Sequence, residues 1–162
     1  MAVDERTLTG RDFPVHWPAT TRWTDNDMFG HLNNAKYYEL FDTAINGWIG
    51  TSLDHDPTAA PWLGVVAESG CRYFAELAFP DPLTVGLGVT RLGTSSVTYR
   101  LALFAAGSVG LADASAAPSS GDPADATVAA VGHWVHVYVD RTTRRPVPIP
   151  DAIRELLTGA QI

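Results

Sequence analysis

The chain has 162 residues, 46% hydrophobic and 18% charged, proportions of one folded domain with a real core rather than of a disordered or fibrous chain. Eighteen Asp and Glu against eleven Lys and Arg leave a formal charge of −7, which argues against nucleic acid or an anionic membrane as partner because both need a positive field. Cys71 is the single cysteine, so there is no internal disulfide and no thiolate zinc site; with an acidic, polar start that does not read as a signal peptide, it predicts a cytoplasmic protein.

Residues 1–14 read as a polar lead-in. Val15 to Thr24 is strand-like but broken by Pro18, which predicts an edge or terminal strand. A turn-rich run, Asp25 to His31, follows. Then Tyr37, Leu40, Phe41, Ala44, Ile45 and Trp48 recur at i, i+3, i+4, i+7, i+8 and i+11, the apolar stripe of a long helix packed on a sheet. Asn33 is its expected N-cap, and Gly47 and Gly50 mark its expected far end.

Beyond Pro57 and Pro61 the period changes to two. Val65, Ala67, Ser69, Cys71 and Tyr73 are expected on one strand face. Leu83, Val85, Leu87 and Val89 alternate with Thr84, Gly86, Gly88 and Thr90, the pattern of a half-buried strand. Val97, Tyr99, Leu101 and Leu103 repeat it after the turn at 93–96, which predicts a hairpin. Residues 105–126 are Ala, Gly, Ser, Asp and Pro with almost nothing large to bury, and read as a flexible hairpin insertion. Thr127 to Val139 is the last predicted strand, and Asp151 to Leu157 a short terminal helix. One strand, one long helix and four strands without helices between them predict a single α+β domain, an antiparallel sheet of about five strands.

Familiar nucleotide and serine-hydrolase motifs are missing: no GxGxxG opens a helix, and neither a P-loop nor a GxSxG elbow occurs. His133 and His136 are three apart on a strand, so they point to opposite faces and read as ordinary strand histidines, not a metal pair. Cys71 reads as core, and His16 and His55 as surface residues. The chemistry is densest from Arg22 to Asn34. There a strand ends, Asp25 and Asp27 stand two apart, and a helix begins whose free N–H groups suit a polarised carbonyl. A carboxylate beside them can act as base or nucleophile. In locally extended backbone the two Asp would share a side and raise one pKa; alternatively both cap turns.

The run RWTDNDMFGHLNNAKYYELFDTA, Arg22 to Ala44, resembles the D-x-D-x-x-G-H-x-N-N signature and aromatic-rich helix of the 4-hydroxybenzoyl-CoA thioesterase family. Weaker likeness runs through Cys71–Phe74, Phe79–Leu83, Arg91–Ser96 and Val137–Asp140. The resemblance implies a hotdog fold, a sheet wrapped around one long helix, with two subunits pairing their sheets as a homodimer or larger. It implies an acyl-CoA thioesterase in which coenzyme A is part of the substrate and no separate cofactor or metal is needed. Asp27 maps onto the catalytic carboxylate, acting as base or nucleophile, and the N–H of Asn34 onto the carbonyl-polarising group. His31 fills a frequent pocket position, and Asp25 is structural. Asn33, Tyr37, Arg91, Ser95 and Arg144 are the expected substrate contacts. Thr94 stands where relatives often carry a basic residue for the cofactor phosphates, so Arg91, Arg144 or Arg145 is expected to serve instead. Two rival readings are an acyl-thioester dehydratase or hydratase of the same fold, using His31 with Glu39 or Asp42, and a non-catalytic acyl-CoA-binding subunit.

Overall fold

The apolar stripe from Tyr37 onward does form one long helix, α1 (Asn34–Leu53), with Tyr37, Phe41, Ala44, Ile45 and Ile49 buried. Asn33 caps it, its Oδ1 accepting the Ala35 N–H at 2.9 Å. The far end differs from expectation. The helix runs through Gly47 and Gly50 and stops at Asp54, whose φ of 47° is left-handed and whose N–H donates to the Gly50 carbonyl. Gly47 is there for packing: a Cβ on it would stand 2.5 Å from Cζ2 of Trp17. The computed structural model describes residues 4–54, 56–105 and 125–162.

Five strands form one antiparallel sheet: β1 (Val15–Ala19), β2 (Trp62–Tyr73), β3 (Leu83–Leu92), β4 (Ser96–Ala105) and β5 (Ala130–Asp140). Their order across the sheet is β1-β3-β4-β5-β2, so β1 and β2 are its edges. The α+β antiparallel reading is therefore the architecture found. β3 and β4 make the expected hairpin, and β4 pairs directly with β5, Leu103 opposite Ala130. Of the predicted insertion at 105–126, residues 106–124 lie outside the described residues, as does His55, whereas Ala105 ends β4 and Asp125 pairs with Arg11 at 2.6 Å.

α1 lies on one face of this sheet. Phe41 is fully buried against Gly132, where a Cβ would approach its Cε2 to 2.6 Å, so the glycine lets helix and sheet close up. A second helix, α2 (Asp151–Thr158), adds Ile153 and Leu157 to the same core.

Two strand readings change in three dimensions. A β-bulge between Val66 and Glu68 shifts the register of β2, and one extra residue reverses which side chains face the helix. Ser69, Cys71 and Tyr73 thus share a face with Trp62, Gly64 and Val66, not with Val65. In turn β3 is buried on both faces from Leu83 to Val89, not half-buried. Phe13 covers Gly86 and Ile162 covers Gly88 on the outer face. Leu8 and Phe13 pack there with Ala102, Phe104, Val128 and Val131, so the lead-in is part of the fold.

His133 and His136 point oppositely, as the strand period requires. His133 is exposed 3.2 Å from Glu68, whereas His136 is buried and accepts the Trp134 indole N–H at Nε2, 3.1 Å away. Burial beside Tyr99 and Tyr138 holds the His136 imidazole neutral, pushing its pKa down to about 4 from 6.5. The unfolded chain then binds a proton that the folded chain refuses between those values, so this stabilisation is complete above pH 6.5 and fades toward pH 4. The full difference is on the order of 3 kcal/mol. Urea melts at pH 7.5 and 4.5 should show His136→Phe losing less stability on acidification than the parent; equal losses would refute the assignment.

Candidate active site

The loop between β1 and α1 is built around Asp25. The short 3-10 turn Trp23–Asp25 buries its carboxylate, which accepts the Arg22 N–H at 2.8 Å and Arg22 Nη2 at 3.0 Å, with Lys36 Nζ at 3.5 Å. Burial works against its charge, but the hydrogen bonds from Arg22 and the charges of Arg22 and Lys36 outweigh it and hold the carboxyl below its usual range. None of these interactions involves Asp27. The Asp25 carbonyl also accepts the Asn33 N–H at 2.9 Å, which ties the start of α1 to this buried anchor.

Asp27 sits at the tip. Its Oδ1 accepts the Phe29 N–H at 2.9 Å, its own N–H donates to the His31 carbonyl at 2.9 Å, and Gly30 closes the turn with φ of +89°. Among the described residues its Oδ2 has no hydrogen-bond partner. Asn26 pins the loop from behind, its amide bonding both the N–H and the carbonyl of Phe79. His31 lies half-buried with Nε2 3.3 Å from Glu76.

The first helical N–H belongs to Asn34. The Asn33 side chain takes the N–H of Ala35 and its carbonyl takes that of Lys36. Among the described residues Asn34 N–H meets no acceptor, at the positive end of a 20-residue helix. Tyr73 fastens this end to the sheet, its hydroxyl donating to the Asn34 carbonyl at 3.0 Å. A free carboxylate oxygen and a free N–H on one loop-to-helix junction are the parts needed to activate water and to polarise a carbonyl.

The remaining predicted residues divide. Asn33 is at the junction as the cap. Tyr37 is only 3% exposed, stacked edge-on against Tyr73 with centroids 4.9 Å apart, and burial pushes its phenol up to about 12. Ser95 and Arg144 sit at the other end of the sheet, near the Trp62–Asp140 pair, and Arg91 lies midway, level with Thr98 and Val135, whereas the junction is near the Tyr73–Ala130 pair. These ends are roughly 33 Å apart along β5, so one chain does not bring these residues to Asp27. Glu39 is engaged by Lys36 at 2.9 Å and Arg22 at 3.5 Å, and Asp42 is half-buried with its carboxyl pushed up by burial. Cys71 is half-buried toward the helix and its thiol is pushed up to about 11, protonated and unreactive. Among the described residues no cluster of His, Cys, Asp and Glu could hold a metal ion, and no helix is long and apolar enough to cross a membrane.

One feature of the site escapes a reading by motif. Trp23 and Phe29 are each 81% exposed and Met28 fully so, an apolar apron around Asp27. Their turn-rich surroundings in sequence were the available signal, since large apolar residues in a polar turn have nothing local to bury against.

Residues 21–157 match the model of the thioesterase-like superfamily. No curated protein matches the chain. Among solved structures, protein PA5185 of Pseudomonas aeruginosa PAO1 is 39% identical over 93% of this chain and 94% of its own, with a TM-score of 0.79. A thioesterase of Thermus thermophilus, solved with coenzyme A and Zn, is 26% identical over 92% of this chain and 95% of its own, TM-score 0.67. Slr0204, a 1,4-dihydroxy-2-naphthoyl-CoA thioesterase of Synechocystis, shares the fold at 14% identity, 88% and 94% coverage and TM-score 0.69. With a helix cradled by a five-stranded antiparallel sheet and a match spanning most of its length, the chain is a hotdog-fold member of the thioesterase-like superfamily.

Proposed function

We propose that the protein hydrolyses acyl-CoA thioesters to the free acid and the thiol. The observation that carries this reading is the unpaired Asn34 N–H at the start of α1, with an open carboxylate oxygen on Asp27 of the loop that feeds it. The thioester carbonyl docks on that N–H, which stabilises the negative charge of the tetrahedral intermediate. Asp27 takes a proton from the attacking water, or attacks the carbonyl itself to form an anhydride that water then opens. His31 and Asn33 hold the loop that presents them. A thioester is reactive enough for these two groups, and the coenzyme A held by the Thermus thermophilus relative supports the same carrier here. The lone cysteine fits a reducing, cytoplasmic setting. Release of free thiol from a panel of acyl-CoAs, followed with a thiol reagent, tests the reading; no turnover of any of them refutes it.

A second copy completes this site. β2 is an edge strand with unpaired backbone groups, and Val66 and Tyr73 are exposed along it. Antiparallel pairing of two β2 strands about a twofold axis near their middle sets the Trp62 end of one copy beside the Tyr73 end of the other. Ser95 and Arg144 of one chain then approach the Asn34 of the other, where the phosphates of coenzyme A need a cation. Sedimentation at micromolar concentration should show a homodimer or a multiple of it, and a stable 17.4 kDa monomer would overturn this arrangement.

A further inference from the structure

The groups a helix leaves unsatisfied at its start are N–H groups, whereas its first carbonyl already accepts from the residue four places on. The hydrogen bond from the Tyr73 hydroxyl to the Asn34 carbonyl, 3.0 Å long, is therefore not one that α1 needs in order to form. Asn34 and Tyr73 are both exposed, so burial does not demand the bond either. What it does is fix the first residue of α1 against the edge of the sheet.

Features of the sheet converge to aim that hydroxyl. The bulge after Val66 turns Tyr73 to the face of β2 on which α1 lies. Its backbone pairs with Ala130, and the next two residues, Phe74 and Ala75, both donate their N–H groups to the Ala129 carbonyl, at 2.7 and 3.0 Å. Its ring meets the buried Tyr37 edge-on, with centroids 4.9 Å apart at 88°. These contacts hold the ring without help from the hydroxyl. The Asn34 carbonyl can only accept, so the hydroxyl donates, and desolvation pushes the phenol above its ordinary range, which keeps the proton in place at neutral pH. The other ties on this end of α1 come from elsewhere. The Asn33 N–H donates to the Asp25 carbonyl at 2.9 Å, and the Leu32 N–H donates to the Leu77 carbonyl at 2.7 Å, which hold the loop and the segment after β2. Tyr73 ties a strand of the sheet to Asn34 itself.

We propose that Tyr73 is a positioning residue of the reaction: by holding the Asn34 carbonyl it sets where the Asn34 N–H stands when the oxyanion of the tetrahedral intermediate forms. The inference rests on the acyl-thioester reading. An oxyanion donor has to stand about 2.7–3.1 Å from the developing charge, and a misplacement of about 1 Å can cost ~10² in rate. Without the hydroxyl, Asn34 keeps its cap and its helix but loses its fixed distance from the sheet. The cost falls on the transition state, where the N–H meets a full charge, more than on the bound substrate, where it meets a neutral carbonyl.

The test is Tyr73→Phe, which keeps the ring and its contact with Tyr37 and removes only the donor. On the best acyl-CoA of the panel, kcat should fall about tenfold, with KM and the melting temperature near those of the parent. Calorimetric binding of two non-hydrolysable probes gives a readout that does not depend on turnover. S-propyl-coenzyme A has no carbonyl, whereas S-trifluoroacetonyl-coenzyme A carries a ketone that becomes tetrahedral on hydration. The parent should bind the ketone at least about tenfold tighter than the propyl thioether. Tyr73→Phe should lose most of that preference while its affinity for the propyl thioether stays unchanged. An undiminished kcat and preference in Tyr73→Phe overturn the proposal. So do a variant that fails to fold and a kcat loss matched by an equal loss of propyl-thioether affinity, since either reduces Tyr73 to a structural role. A parent that hydrolyses no acyl-CoA, yet shows a ketone preference that Tyr73→Phe loses, refutes the thioesterase reading alone. Hydrolysis by the parent and by Tyr73→Phe at equal rates refutes the role of Tyr73 alone, and a parent with neither hydrolysis nor preference overturns both.

Discussion

Asp27→Asn lowers kcat by at least ~10² while leaving KM and thermal stability near those of the parent. The substitution is isosteric. The Asn Oδ1 still accepts the Phe29 N–H that shapes the tip of the loop, and Gly30 and the Asp27–His31 backbone bond are untouched. What is lost is the oxygen that, in the proposed mechanism, takes the proton of water or attacks the carbonyl, a contribution made only in the transition state. Steady-state kinetics on the best acyl-CoA of the panel, with a melting curve for each protein, make the measurement; near-full activity in the variant removes Asp27 from the mechanism. Asp25→Asn is the informative companion. Its carboxylate is committed to Arg22 and Lys36, so its loss should fall more on stability and less on kcat. A larger kcat loss there than at Asp27 would exchange the two roles.

Phe41→Ala should cost about 3–5 kcal/mol of stability. The side chain is fully buried where α1 meets the sheet, and its removal leaves a void bounded by Gly132, whose missing side chain cannot help to fill it. For a chain of this size the melting temperature should drop by roughly 10 °C. The same geometry makes the pair non-additive. Gly132→Ala alone drives a Cβ to 2.6 Å from Phe41 Cε2 and destabilises by overpacking, but in the Phe41→Ala background that methyl enters the vacated space and recovers stability. Denaturant melts of both single variants and the double variant decide it, and strictly additive losses would contradict this packing.

The elements that could be read along the chain are those whose cause is local. The stripe from Tyr37 to Trp48, the Asn33 cap and the β3–β4 hairpin each depend on residues within one or two turns, and each stands where the periodicity put it. So does the junction of Asp27 and Asn34, because a turn-rich run followed by a cap and an apolar stripe dictates a loop feeding a helix. The D-x-D-x-x-G-H-x-N-N run carried the function further than spacing could, and the match found is to the broader thioesterase-like superfamily.

Other features depend on what the chain meets from far away. Gly47 resembles a helix end until Trp17 is seen packed on it, and β3 resembles a half-exposed strand until Phe13 and Ile162 cover its glycines. The bulge after Val66 reverses the face on which Cys71 and Tyr73 lie, since a period of two is undone by a single inserted residue. Periodicity reports which faces are apolar, but not which distant residue covers them. Asp27 and Asn34, seven positions apart, were therefore legible together, whereas Tyr73 reaches Asn34 only because a bulge turns the end of β2 toward α1.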